Sequence, residues 1–165
     1  VQLPAFFDNL AQAVASTSYS AKAPTALPSG YQFTNATYHA QLGELLQNYQ
    51  CDSANITFIQ RPLADGEAFG GIQVGASANI IPVNLGDGGE YVRGGWSVDG
   101  DTPSISLDGN TTTSANIDLL WSNELPQHSL MWTDNGMMYS IQTSGNIGAC
   151  ALTQADMLAF ANSLK

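Results

Sequence analysis

The chain has 165 residues, of which 44% are hydrophobic, and this is enough apolar material to bury the core of one ordinary domain. Only four Lys and Arg stand against fourteen Asp and Glu, so the formal net charge of −10 excludes partners such as nucleic-acid phosphates and anionic membrane surfaces. No stretch reaches the roughly 18 apolar residues that a membrane span needs, so we expect no direct membrane insertion.

The N-terminal part of the chain is predicted to form a helix and a linker. Apolar side chains recur at helical spacing along residues 4–16, which predicts a helix there. The next segment, 16–30, is rich in Ser, Ala and Thr and contains two prolines, a composition typical of a linker. We therefore divide the chain into an N-terminal helix with its linker, 1–26, and a single domain, 27–165.

The middle of the chain has the alternation and the turn sequences of β-strands. Residues 44–51 fit a helical stripe as well as a strand, but Gly43 weakens the helix, so we favour a hairpin. A Gly-Asp-Gly-Gly sequence at 86–89 predicts a tight reversal between two further strands. Residues 97–114 are polar and interrupted by Gly and Pro, which predicts an exposed loop. The predicted strands are 31–38, 44–51, 55–61, 78–85 and 90–96.

The C-terminal part contains a hairpin and a closing helix. Residues 134–136 read Asp-Asn-Gly, a strong turn sequence, between strands predicted at 129–133 and 137–143. Thr153 is placed to cap a helix, with Asp156 three residues later and an apolar face beyond it. We predict an α+β fold, a curved antiparallel sheet of about six to eight strands with this helix packed on one face and an additional N-terminal helix.

The two cysteines of the chain, Cys51 and Cys150, are far apart in sequence, and neither belongs to a C-x-x-C pair. We favour a single disulfide between them, which is typical of an extracytoplasmic compartment. The alternative is a pair of buried free thiols in a reducing compartment.

Several motifs together resemble those of one known family. Residues 27–31 read L-P-S-G-Y, residues 56–60 read I-T-F-I-Q, a tryptophan hairpin ends in Y-S-I at 139–141, and the closing helix ends in A-N-S-L. These motifs resemble an uncharacterised bacterial extracytoplasmic domain family, found at the C-terminus of membrane-anchored anti-sigma factors and in lipoprotein-sorting-like proteins. The chain departs from the family pattern in its long polar insert, 97–116, and in Asp156, where the family has Glu. The resemblance implies an extracytoplasmic sensing or interaction role and supplies no catalytic residue.

Patterns for metal binding are weak. His39 and His128 would complete a zinc set with the two cysteines, but no pair of these residues has ligand spacing. The polar loop carries oxygen ligands suited to calcium, but Pro103 breaks the EF-hand pattern. These oxygen ligands are Asp99, Asp101, Asp108 and Asn110. We therefore predict no metal and no other cofactor.

A hydrolase site is not visible as a motif. The chain has many serines without the G-x-S-x-G elbow, and Ser29 lies in a turn context rather than between a strand and a helix. We assign no catalytic residue and expect a protein that is not an enzyme. An unrecognised hydrolase is the third of three hypotheses about its function.

Aromatic residues are the candidates for contact with a ligand or partner. They lie on predicted strands, where the ordinary alternative is burial in the core. Trp96 is preceded by two glycines, Gly94 and Gly95, which leave little cover around its side chain. The predicted contact residues are Trp96, Tyr91, Trp121 and Trp132.

The sequence favours a non-enzymatic extracytoplasmic domain that senses a ligand or docks a protein, as part of a membrane-anchored regulator. Its partner would be an unknown protein or small molecule. The alternative is a carrier for a lipid or another apolar molecule, with Met131, Met137 and Met138 beside tryptophans on a concave sheet face.

Overall fold

The computed structural model describes residues 2–67, 70–98, 119–145 and 147–165. Its main element is an open, antiparallel sheet of eight strands in the order β1-β2-β3-β4-β10-β9-β6-β5, beside a two-stranded ribbon of β7 and β8. With one helix near each end of the chain, the α+β prediction is confirmed. The elements are β1 (Ala5–Phe7), α1 (Leu10–Ala15), β2 (Gln32–His39), β3 (Glu44–Cys51), β4 (Ala54–Pro62), β5 (Ile80–Val83), β6 (Gly88–Arg93), β7 (Gly95–Val98), β8 (Leu119–Ser122), β9 (His128–Asp134), β10 (Met137–Ser144) and α2 (Gln154–Asn162).

Two of the three predicted hairpins are confirmed with almost the predicted bounds. Strands β3 and β4 pair from Leu45–Gln60 to Cys51–Ala54, and β9 and β10 pair around the turn of Asn135 and Gly136. Both turn residues have positive φ, 50° and 76°, which is the backbone that a two-residue reversal requires. The local sequence therefore predicts these turns, and a distant contact adds to one of them, since the Asn135 backbone N–H donates to Asp87 Oδ2 at 3.2 Å.

The strand predicted at 90–96 is divided in two. Gly94 has φ of 113°, and at this residue the chain leaves β6 in the main sheet and enters β7 in the ribbon. The predicted loop 97–114 begins inside β7, and all of it beyond residue 98 lies outside the described residues.

The N-terminal helix is shorter than predicted. Residues 5–7 form β1, which pairs with β2 at the edge of the sheet, and α1 begins only after Asn9, whose side chain accepts a hydrogen bond from the Gln12 backbone N–H. The helical spacing of Phe6 and Phe7 is overridden because Phe7 packs against the sheet while Phe6 faces solvent, the alternation of a strand.

The predicted linker is packed against the sheet. Tyr19 donates a hydrogen bond from its hydroxyl to the Gln60 carbonyl at 3.0 Å, and the backbone of Lys22 bonds to the Gln60 side chain. Pro24 forms a β-bridge with Leu164 beside the last helix. The proline and serine content predicted a linker, but this segment is fixed by partners that lie far away in sequence.

The core lies between one face of the sheet, the core face, and helix α2. Thr153 and Asp156 form the predicted capping box at the start of α2. Phe160 projects from α2 onto the sheet and meets Tyr49 and Phe58 edge-on, at ring-centroid distances of 5.7 and 5.9 Å. The predicted disulfide is confirmed: it joins Cys51, at the end of β3, to Cys150, just before α2, with an S–S distance of 2.09 Å.

Candidate functional site

The ribbon presents an exposed tryptophan that is supported by a second one. Trp96 of β7 is the register partner of Trp121 of β8, and their rings meet edge to face with centroids 5.5 Å apart. Trp96 is 44% exposed, and neighbouring Leu120 is 50% exposed. Two of the predicted contact residues therefore lie together on the surface.

Trp121 is held in place by its surroundings. Its indole Nε1 donates a hydrogen bond to Asn123 Oδ1 at 2.9 Å, and Asn123 Nδ2 donates to the Ser77 carbonyl at 3.0 Å. Gly75 packs directly on the Trp121 side chain and leaves no room for a Cβ at that position. Trp96 thus rests on a fixed aromatic support.

The other two predicted contact residues lie in the core. Tyr91 is 5% exposed and Trp132 is 4% exposed, and both belong to the cluster that helix α2 covers. Trp132 stacks on Tyr139 with ring centroids 5.3 Å apart. This burial leaves little of either side chain for a ligand, because strand alternation turns both toward the core face.

His128 is buried and faces Tyr91. The Tyr91 hydroxyl and His128 Nδ1 form a short hydrogen bond, and the His128 backbone N–H donates to Thr143 Oγ1 at 3.0 Å. Burial, and secondly the charge of Arg93, lower the pKa of His128. The ring is therefore engaged by a tyrosine at the edge of the core rather than by a serine or a carboxylate.

Among the described residues, the candidate zinc ligands do not form a zinc site. Cys51 and Cys150 are joined to each other, so neither offers a thiolate, although Asp52 lies beside them. The oxygen ligands considered for calcium, residues 99–110, lie outside the described part of the chain.

The methionines considered for an apolar ligand do not share one face. Met137 packs against the core cluster, whereas Met138 and Met131 alternate to the opposite side of the sheet, the outer face. A carrier cavity lined by all three is therefore not formed.

A polar pocket on the outer face was not predicted. It has a volume of about 220 Å³ and lies over β4, β9 and β10, where these strands approach the disulfide end of the sheet. Within the part of the chain that the structure describes, every lining residue is neutral and bears a hydroxyl or an amide: Thr57, Gln127, Ser129, Gln142, Thr143 and Ser144. The available signal was the i, i+2 repeat of Gln142 with Ser144, which places this pair on one face of β10.

Comparison with protein-family models, with curated proteins and with solved structures gives no match to this chain. The family resemblance therefore stays a hypothesis that rests on the motifs alone. Among the described residues, no helix is long and apolar enough to cross a membrane.

Proposed function

We propose that this chain is a non-enzymatic, extracytoplasmic interaction domain, which docks a partner protein through the ribbon of β7 and β8. The observation that carries the proposal is the exposed ring of Trp96 on the fixed ring of Trp121. Tryptophan is enriched among residues that dominate binding energy, because it supplies a large contact area with few rotatable bonds.

The ribbon offers contact area on both of its sides. Trp96 and Trp121 lie on one side, while Leu120, which pairs with Ser97, alternates to the other. With a formal net charge of −10, the domain favours a partner whose contact region carries a basic rim.

The disulfide supports the proposed location. Cys51 and Cys150 are both at most 9% exposed, so the bond belongs to the core rather than to a reactive surface site. Structural disulfides of this kind persist in oxidising compartments outside the cytoplasm. The family resemblance adds the more specific proposal that the domain is the outer part of a membrane-anchored regulator.

The test is capture of partners from the extracytoplasmic fraction of the host, with Trp96→Ala compared against Phe6→Ala. Phe6 is 77% exposed on β1, an edge strand of the main sheet. Phe6→Ala is therefore a matched control, because it also removes an exposed aromatic side chain but away from the ribbon. We expect Trp96→Ala to weaken the interaction about 30-fold or more and Phe6→Ala to leave it intact. Equal capture by both variants would contradict docking through the ribbon.

A further inference from the structure

The outer face carries a register-matched row of neutral polar side chains across four strands. Asn48 of β3 pairs with Thr57 of β4, Thr57 with Gln142 of β10, and Gln142 with Ser129 of β9. A second row, next to the disulfide end of the sheet, contains Gln50, Asn55 and Ser144. Neighbouring strands lie about 4.8 Å apart, so these rows form a regular array of hydroxyl and amide groups.

One half of this array is fixed by its own hydrogen bonds. Asn55 Nδ2 donates to Thr57 Oγ1 at 3.1 Å, and Thr57 Oγ1 donates to Asn48 Oδ1 at 3.0 Å. Asn48 Nδ2 in turn donates to Asn35 Oδ1 on β2 at 2.9 Å. The bonds orient this side of the array before any ligand arrives, which lowers the entropic cost of binding.

The other half faces the pocket with unused hydrogen-bonding capacity. Within the described residues, the side chains of Ser129, Gln142 and Ser144 make no hydrogen bond to protein, and Gln142 and Ser144 are exposed. A hydroxyl and an amide each donate and accept. The pocket therefore offers several donors and acceptors close together, beside the oriented Thr57.

Among the described residues, charge is kept away from this site. The chain has fourteen Asp and Glu, yet no described residue of the pocket lining or of the two rows is charged. A surface that only had to remain hydrated would not need to exclude carboxylates. A neutral ligand with many hydroxyl groups matches this array, since each of its hydroxyls also donates and accepts.

We propose that the pocket on the outer face binds a neutral carbohydrate. Its volume of about 220 Å³ is below the roughly 300–1,000 Å³ typical of sites for drug-sized ligands, so it suits one sugar ring. The row that continues through Thr57 and Asn48 to Asn35 provides hydrogen-bonding positions for further rings. The ligand is thus a neutral oligosaccharide or polysaccharide, anchored at the pocket and lying across the strands.

The carbohydrate site is separate from the side of the docking ribbon that presents Trp96 and Trp121. Gly95 packs against the side chain of Gln127 at the rim of the pocket. Strand alternation turns the next residue, Trp96, to the opposite side of the ribbon. Loss of Trp96 therefore tests protein docking, whereas changes at Gln142 and Ser129 test carbohydrate binding.

The experiment is an NMR titration of the ¹⁵N-labelled protein with cellohexaose, maltohexaose, chitohexaose and mannohexaose, and with oligogalacturonate as the charged comparison. We expect at least one neutral hexaose to shift the backbone amide signals of Ser129, Gln142 and Ser144, and oligogalacturonate to bind more weakly. The Gln142→Glu variant keeps the side-chain shape but adds a charge, and Ser129→Ala removes a hydroxyl. Each should raise the Kd about tenfold.

The matched control is Gln12→Glu, the same chemical change on the exposed surface of α1, which should leave the Kd unchanged. The proposal is overturned if no neutral hexaose shifts signals of β9 or β10 at millimolar concentration. It is also overturned if oligogalacturonate binds as tightly as the best neutral sugar, or if Gln142→Glu and Gln12→Glu bind alike. None of these results depends on whether a protein docks at Trp96.

Discussion

At the scale of single residues, two glutamines hold the N-terminal segment onto the core face. Gln47 and Gln60 are both 0% exposed, and each donates from its side-chain amide to the Lys22 carbonyl at 2.8 Å. Gln60 Oε1 accepts from the Lys22 backbone N–H at 2.8 Å, and Gln47 Oε1 accepts from the Tyr49 hydroxyl. Their burial is tolerated because every amide has a partner.

Replacing Gln60 by leucine should destabilise the protein. The change removes both side-chain bonds to the Lys22 backbone and leaves its N–H without an acceptor, which should lower the free energy of unfolding by about 1–3 kcal/mol. Urea denaturation measures the loss. Gln32→Leu is the control, since Gln32 is exposed and the same change there should stay within about 0.5 kcal/mol. Similar losses in the two variants would show that the buried bonds contribute little.

His128 should make stability depend on pH. Burial and the charge of Arg93 lower its pKa in the folded protein below the value of about 6.5 in the unfolded chain. Below about pH 6.5 the unfolded chain therefore binds more protons, so the stability present above this pH declines as the pH falls.

The measurement is the free energy of unfolding between about pH 7 and about pH 5. We expect a decline in the wild type and a smaller decline in His128→Gln, which has no imidazole to protonate. His39→Gln removes the other histidine of the chain and should retain the wild-type decline. If the free energy of unfolding of the wild type and of His128→Gln fell in parallel with pH, the pH dependence could not be assigned to His128.

At the scale of elements, helix α2 depends on its first turn. Thr153 Oγ1 accepts from the Asp156 backbone N–H at 3.2 Å, and Asp156 Oδ2 accepts from the Thr153 backbone N–H at 2.8 Å. These bonds satisfy backbone donors that a helix start otherwise leaves free.

Thr153→Ala should lower the free energy of unfolding by about 1 kcal/mol, because the hydroxyl acceptor of the capping box is lost. Thermal and urea unfolding check the change. Thr153→Ser retains the hydroxyl and should recover most of the stability. If serine destabilised the protein as much as alanine does, packing of the threonine methyl rather than capping would be responsible.

The elements that the sequence predicts well are those with local causes. The turn at Asn135 and Gly136 and the cap at Thr153 can be recognised from neighbours within a few residues. Strand β1 and the segment near Lys22 were predicted as helix and linker, since their partners, β2 and Gln60, are brought to them only by the folded sheet. Local spacing cannot encode a partner that is distant along the chain.

The candidate site residues also divide into those that neighbouring residues predict and those whose position depends on the folded sheet. Trp96 was singled out by its glycine neighbours, and the structure places it on the surface beside Trp121. Tyr91 and Trp132 lie in the core because their strands alternate toward α2, and the sequence does not show which face the helix covers. The carbohydrate pocket could not be predicted, because it depends on which residues of β4, β9 and β10 pair with one another. Spacing within one strand does not reveal this register.

At the scale of the whole molecule, the disulfide constrains the chain from β3 to the start of α2. The bonded cysteines are 99 residues apart, so the bond removes much of the freedom of the unfolded chain. Most of the sheet lies between these two points in sequence.

Replacing both Cys51 and Cys150 by alanine should lower the free energy of unfolding by about 4–5 kcal/mol, the loop-closure value for about 100 residues. Urea denaturation with and without reductant measures it. The wild type should lose a similar amount when reduced, while the double variant should not respond to reductant. A loss below about 1 kcal/mol would mean that the unfolded chain is compact without the bond.

The order of the strands also has a consequence for how the protein is made. The last strand in sequence, β10, pairs with β4 at the centre of the sheet, and Lys165 exchanges backbone hydrogen bonds with Ala23. During synthesis or export, β2, β3 and β4 can form a meander early, but β4 then keeps an open edge until β10 emerges. Assembly of the sheet is therefore completed only when β10 is available, and nascent chains released before β10 would be prone to aggregate through that edge.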